Sequence, residues 1–215
     1  TLSVATPAEE RQVRVGFRTV TIEDGQLRVN GRRLVLRGVN RHEILRDQGR
    51  VFDREAARRD LALMKQHNVN AIRTSHYPPS AELLDLCDEM GLWVMDECDL
   101  ETHGFECQGW RDNPTDEPAW RDAILDRTRR FIARDRNHAC VVVWSLGNES
   151  GTGTNLAASA DLIRRLDPSR PIHYEADYEG AYSDFHSRMY PALDEVDAFF
   201  EGDGQFSRSE ERFSR

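Results

Sequence analysis

Four cysteines in 215 residues, none of them in a Cys-x-x-Cys pair, are too few and too scattered for a disulfide framework. Cys87, Cys98, Cys107 and Cys140 are therefore expected to be free thiols of a reducing cytoplasm. No apolar run exceeds strand length, so no segment reads as a membrane span, and no charged-then-apolar leader stands at Thr1. Basic charge is also short: 29 Lys and Arg against 38 Asp and Glu give a formal net charge of −9, which argues against a nucleic-acid surface. No glycine-rich phosphate loop of the Gly-x-Gly-x-x-Gly or Gly-Lys-Ser/Thr kind follows any strand-like run, which lowers a nucleotide-binding reading. Repeats of solenoid period are missing too.

What is present begins with Val141-Val142-Val143-Trp144-Ser145-Leu146, an apolar run without period-2 alternation, as expected of a strand covered on both faces. Gly147 breaks it, and Asn148 and Glu149 fall where the strand opens into a loop before a helical pattern resumes near Asn155. Ahead of it the chain repeats one grammar. Residues 12–22 alternate like a half-exposed strand from a preceding β domain, and Asn30-Gly31 marks a hairpin whose second arm is Leu34 to Leu36. Asp53 caps a helix with Ala57, Leu61 and Met64 on one face, and a strand over 70–73 follows. Ser80 caps a second helix bearing Leu83, Cys87 and Met90 and stopping at Gly91, before a strand over 92–95. A helix with Trp120, Ile124, Thr128 and Phe131 on its buried face precedes the central strand. Leu156, Ala160 and Ile163 mark another helix, and a strand over 171–174 comes next; residues 201–215 read as an exposed loop.

Strand, polar loop and helix in repetition predict a parallel sheet with right-handed crossovers, which a doubly wound sheet and a (β/α)8 barrel both satisfy. Polar clusters at the end of every strand favour the barrel, of which about five of the eight strands fit this length. If the strands are neighbours, four clusters meet: Asn40 to His42, Arg73 to His76, Glu101 to His103, and Asn148 with Glu149. Glu101 and His103, two residues apart, point to one side of an extended loop. With a further carboxylate they offer an open site for a divalent cation. An amidohydrolase-type metal barrel would want His-x-His at its first strand, and His42-Glu43-Ile44 does not supply it. Trp93, Trp110, Trp120 and Trp144 are candidate stacking surfaces for sugar rings, with Trp120 expected in the core by its helical register.

Four of these stretches occur in family order: Gly38-Val39-Asn40-Arg41-His42-Glu43, Arg73-Thr74-Ser75-His76-Tyr77-Pro78, Asp96-Glu97 with Glu101-Thr102-His103-Gly104, and Trp144-Ser145-Leu146-Gly147-Asn148-Glu149-Ser150-Gly151. Together they resemble glycoside hydrolase family 2, and within it the large bacterial β-galactosidases, over roughly Val15 to Tyr190. β-Glucuronidases of the family share the first two motifs but typically lack the Leu-Glu-Thr-His-Gly stretch. The resemblance implies a TIM barrel truncated to about its first five or six β/α units over 21–215, preceded over 1–20 by the tail of an immunoglobulin-like β-sandwich. It implies Glu149 as general acid/base, with Asn148, His42, His76, Arg73 and Tyr190 binding a β-galactoside. Glu101, His103 and Glu149 would surround Mg2+, and Na+ would be held in the parent enzyme by residues outside this sequence. A homo-oligomeric parent is also implied.

One part of the family pattern is missing. A retaining glycosidase pairs two carboxyl groups roughly 5 Å apart, one of them the nucleophile. The family's nucleophile stands in a Cys-Glu-Tyr-Ala-His-Ala-Met-Gly-Asn stretch that does not occur before Arg215, and the surroundings of Glu175 and Glu179 do not match it. The expectation is an acid/base whose partner lies outside the chain. The alternatives are a non-catalytic complementation fragment, or another family 2 specificity such as β-glucuronidase.

Overall fold

The computed structural model describes residues 1–192, so the loop expected over 201–215 lies outside the described residues. β1 (Leu2–Ala5) and β2 (Glu10–Val13) form an exposed antiparallel ribbon. β3 (Val20–Glu23), β4 (Gln26–Val29) and β5 (Arg32–Arg33) form a second antiparallel sheet. Its turns carry positive φ at both central residues, 51° and 68° at Asp24-Gly25 and 51° and 75° at Asn30-Gly31. That is type I′ geometry, which Asp-Gly and Asn-Gly tolerate and which matches the twist of the flanking strands.

The strand expected over 12–22 is not continuous. Between β2 and β3 the backbone of Gly16 passes so close to Ala139 that an added Cβ would lie 2.2 Å from that of Ala139. Arg18 then sends its guanidinium to the Val141 carbonyl, with Nε and Nη2 at 3.2 and 3.1 Å. These contacts, not a ladder, fix the segment. The second hairpin arm likewise stops at Arg33, because the Asn70 side chain takes up the Val35 carbonyl and the Arg37 N–H.

The remaining elements follow the expected grammar: β6 (Gly38–Arg41), α1 (Arg54–Gln66), β7 (Ala71–Thr74), α2 (Ala81–Met90), β8 (Trp93–Glu97), α3 (Arg121–Asp135), β9 (Val141–Asn148), α4 (Thr154–Leu166) and β10 (Ile172–Glu175). Asp53 Oδ1 accepts from Ala56 N at 2.7 Å and Ser80 Oγ from Glu82 N at 3.3 Å, so both predicted caps form. Gly91 closes α2 at φ 74°.

The five strands β6 to β10 are parallel and adjacent in chain order. Among the described residues no strand reverses the order, so none of them forms the switch point that defines a doubly wound sheet, and the sheet is five staves of a barrel. All eight residues of β9 are buried. Trp144 meets Phe131 edge to face at 5.3 Å and its Nε1 donates to Asp167 at 2.9 Å. It is therefore a core side chain turned toward the helices, not a sugar platform. Trp120 departs from its expected core position. It sits in a 3-10 turn (Pro118–Trp120) just before α3 and is 52% exposed, because its register precedes the helical face carried by Ile124, Thr128 and Phe131.

Candidate active site

Parallel strands in chain order carry their carboxyl ends to one rim, and a continuous set of contacts there joins seven of the eight residues singled out from sequence. Arg73, at the end of β7, places Nε 2.5 Å from Glu97 Oε2 and Nη2 2.9 Å from Asn148 Oδ1. His76 Nδ1 stands 2.6 Å from Glu97 Oε1. His42, beyond β6, meets the His76 ring edge-on with centroids 5.5 Å apart. Asn148 Nδ2 donates to two carboxylates, Glu101 Oε2 at 2.5 Å and Glu149 Oε2 at 3.0 Å. His103 Nδ1 lies 3.6 Å from Glu149 Oε1. Tyr190 is the outlier: it is 94% exposed and joins the others only as part of the wall of a 380 Å³ cavity shared with Asn40, Arg73, His173 and Glu175.

The backbone under Glu149 is held in an unusual shape. Gly147 has φ 149°, and a Cβ there would stand 2.4 Å from the Leu100 carbonyl oxygen, so only glycine lets the two segments touch. That approach extends the pairing of β9 past β8, with Asn148 N donating to Leu100 O at 2.9 Å and Glu101 bridging Asn148. Glu149 itself has φ 40°, a conformation that persists in a non-glycine residue only when its surroundings over-determine it. They do so through Ser150, which is fully buried. Its N–H donates to Tyr174 Oη at 2.9 Å, its Oγ accepts from Thr102 N at 2.8 Å, and its carbonyl accepts from Asn113 Nδ2 and Thr115 Oγ1 at 2.7 and 3.1 Å. Tyr174 Oη in turn donates to Gly151 O at 2.8 Å, and Glu149 N donates to Glu175 O at 3.0 Å. Burial raises the Tyr174 phenol above its ordinary pKa, keeping it a donor.

Two carboxylates and an imidazole are the donor set expected for a magnesium-type or borderline cation. The residues fit such a group: among the described residues no lysine or arginine forms an ion pair with Glu101 or Glu149, and both converge on the one Asn148 amide. The triad is not drawn tight, since Glu101 turns to Asn148 while His103 Nε2 is taken by Glu106 Oε2 at 2.8 Å. That hydrogen bond, followed by the charge of Glu149, raises the pKa of His103. Among the described residues, the group whose ligand atoms all lie within 4.8 Å of one another is elsewhere: Asp88, His138 and Cys140, below the amino end of β9. There Asp88 Oδ1 accepts from Cys140 N and Oδ2 pairs with His138 Nδ1, both at 2.7 Å, a bridge from α2 to the turn before β9.

Several residues that shape the site carry no assigned role in the sequence reading: Glu97, Ser145 and Ser150, which stand inside its motifs, Glu175, set aside there as a nucleophile, and His173, Tyr174 and Glu106. Ser145 Oγ donates to Glu97 Oε2 at 2.7 Å and lies 2.9 Å from His173 Nδ1. His173 Nε2 is 3.1 Å from Ser187 Oγ, which bonds Glu175. Burial lowers the His173 pKa to about 3 and raises that of the Glu175 carboxyl. The available signal was polar residues inside otherwise apolar strands: Ser145 in β9 and Glu97 in β8 are register partners.

A family model described as "Glycosyl hydrolases family 2, TIM barrel domain" matches residues 20–211. A β-galactosidase of Arthrobacter sp. (strain B7) is 61% identical over 175 residues, 81% of this chain and 17% of its own length. A β-galactosidase of Pectobacterium atrosepticum is 48% identical over 188 residues, 86% of this chain and 18% of its own. The chain thus spans about a sixth of these relatives. Among solved structures, a β-D-glucuronidase of Dictyoglomus thermophilum superposes with TM-score 0.70 at 26% identity, over 86% of this chain and 33% of that one. A Ruminococcus gnavus β-glucuronidase in complex with D-glucuronic acid gives TM-score 0.70 at 29% identity, over 82% and 31%.

Proposed function

The chain belongs to glycoside hydrolase family 2, and from that premise we propose that it is the front part of the catalytic barrel of a β-galactosidase. Its parent would hydrolyse terminal non-reducing β-D-galactose residues from β-galactosides with retention of configuration. The observation that carries this reading is the placement of Glu149: a partly exposed carboxyl at the carboxyl end of the most buried strand, on a strained and fully tied backbone, beside Asn148, Arg73 and His76. Identities of 61% and 48% to β-galactosidases, against 26% and 29% to the glucuronidase structures, support the galactoside over the glucuronide.

In this mechanism Glu149 protonates the glycosidic oxygen as the bond breaks and later takes the proton of the attacking water. The nucleophilic carboxylate comes from residues outside this sequence. Asn148, held between Arg73 and the two glutamates, would bind the sugar, with His42, His76 and Tyr190 as further contacts. Glu101, His103 and Glu149 would hold magnesium, which supplies a local positive charge that alters nearby titration. Residues 1–20 would be the tail of an immunoglobulin-like domain, the parent a homo-oligomer, and the four free thiols suit a reducing cytoplasm.

The test uses the complete polypeptide that contains this segment. Glu149→Gln should depress hydrolysis of galactosides with poor leaving groups far more than that of activated aryl galactosides, because only the former need the proton. Equal loss on both substrates sinks the acid role. Faster turnover of an aryl glucuronide than of the aryl galactoside sinks the specificity.

A further inference from the structure

Glu97 is buried entirely at the end of β8, so it is not a group that a sugar reaches first. Its importance lies in what converges on it. Arg73 Nε and Ser145 Oγ share Oε2, at 2.5 and 2.7 Å, while His76 Nδ1 has Oε1 to itself at 2.6 Å. A carboxylate only accepts, and a serine hydroxyl has one proton to give. The hydrogen on each neighbour can therefore be counted. Ser145 spends its proton on Glu97 and must accept from His173 Nδ1, 2.9 Å away. His76 in the same way must carry its hydrogen on Nδ1. The His76 side chain remains 25% exposed, so Nε2 on the far side of the ring is the nitrogen left for the cleft.

We infer that Glu97 is a positioning residue of the active site, fixing His76 with its proton on Nδ1 so that Nε2 is the atom offered to a substrate hydroxyl, while it braces Arg73 against Asn148. The identity of the substrate as a sugar rests on the glycosidase reading; the proton count does not. The arrangement also dictates what a near-isosteric change does. In Glu97→Gln the amide oxygen must take the position facing two donors, Arg73 and Ser145. The amide nitrogen then faces His76, donates to Nδ1 and drives the ring proton to Nε2. Without any large change in shape, an acceptor in the cleft becomes a donor.

The experiment is nitrogen-15 NMR of histidine-labelled full chain, read at alkaline pH where the neutral ring shows its tautomer. The wild type should show His76 protonated at Nδ1, and Glu97→Gln should move the proton to Nε2. A Ser145→Ala chain keeps both other Glu97 contacts, so its His76 signals should stay in place while those of His173 change. An unprotonated Nδ1 in the wild type overturns the inference, as does a His76 pattern untouched by Glu97→Gln or shifted equally by Ser145→Ala. If Glu97→Gln does not fold, the wild-type and Ser145→Ala spectra still decide. Failure of the galactosidase reading would appear separately, in the substrate comparison.

Discussion

Tyr174→Phe removes one oxygen atom from a buried site and two hydrogen bonds from the loop that carries Glu149. The phenol oxygen accepts from Ser150 N at 2.9 Å and donates to Gly151 O at 2.8 Å. Phenylalanine fills the same space, so neither cavity nor clash contributes. The cost is that of leaving the two backbone groups without partners, about 1–3 kcal/mol for a buried polar group. Ser150 is fully buried and pays in full, whereas Gly151 is half-buried and its carbonyl recovers part from water. The sum is about 2–4 kcal/mol, a large share of the roughly 5–15 kcal/mol typical of a domain. Urea unfolding followed by tryptophan fluorescence measures it as a lowered midpoint at unchanged slope. Tyr178→Phe, on an exposed ring, is the control and should stay within about 0.5 kcal/mol. A Tyr174→Phe loss no larger than that control would refute the clamp, and with it the account of how Glu149 is kept at positive φ.

Asp96 offers a pH test. Burial first, then the charge of Asp135, raises its pKa well above the ordinary carboxyl value. A raised folded pKa means stability that is complete below the unfolded pKa and lost as pH climbs through the folded one. Asp96→Asn should therefore gain on the wild type in melting temperature from about pH 4 upward, and parallel curves would count against it. His173 has the opposite sign: with a pKa of about 3 it is neutral in the fold, so its contribution is present above the unfolded pKa of about 6.5 and lost as pH falls toward 3. Its ring signals should show no titration between pH 5 and 8, roughly the range where an unperturbed histidine charges. Gly147→Ala meets both a φ of 149° and the Leu100 carbonyl at 2.4 Å, and should cost at least ~2 kcal/mol in the same urea assay.

The sequence was most legible where one local rule decides the outcome. The Asp53 and Ser80 caps, the Asn30-Gly31 turn and the unbroken apolar run of β9 each state their structure within a few residues. The rim residues were legible by motif, and the parallel order of the strands brought all but Tyr190 into contact. Long-range contacts were harder to see. The segment from Arg14 to Thr19 is shaped by Ala139 and Val141, more than a hundred positions away, so its alternating residues mislead. Trp120 fits the spacing of α3 but lies one turn too early to share its face. Glu97 and Ser145 define a buried polar layer that becomes visible only when β8 and β9 are set in register.

The bonding of Ser150 also has a consequence for redesign. Thr102, Asn113 and Thr115 all end on this one residue, so the rim between β8 and α3 is divided into fixed anchors and the span between them. Within Gly104 to Gly109 a Cβ added at either glycine meets nothing within 4 Å, whereas Phe105 N donates to Thr102 O at 3.0 Å and Glu106 holds His103 Nε2 at 2.8 Å. Gly104 is the better graft point, because Gly109 needs its φ of 65°. On the proposed glycosidase reading, libraries or insertions meant to change what sits beside the sugar belong at Gly104, with Glu106 kept because it holds His103. The same edits placed at Thr102, Asn113 or Thr115 would instead move Glu149, and a screen would score its displacement as a failed specificity.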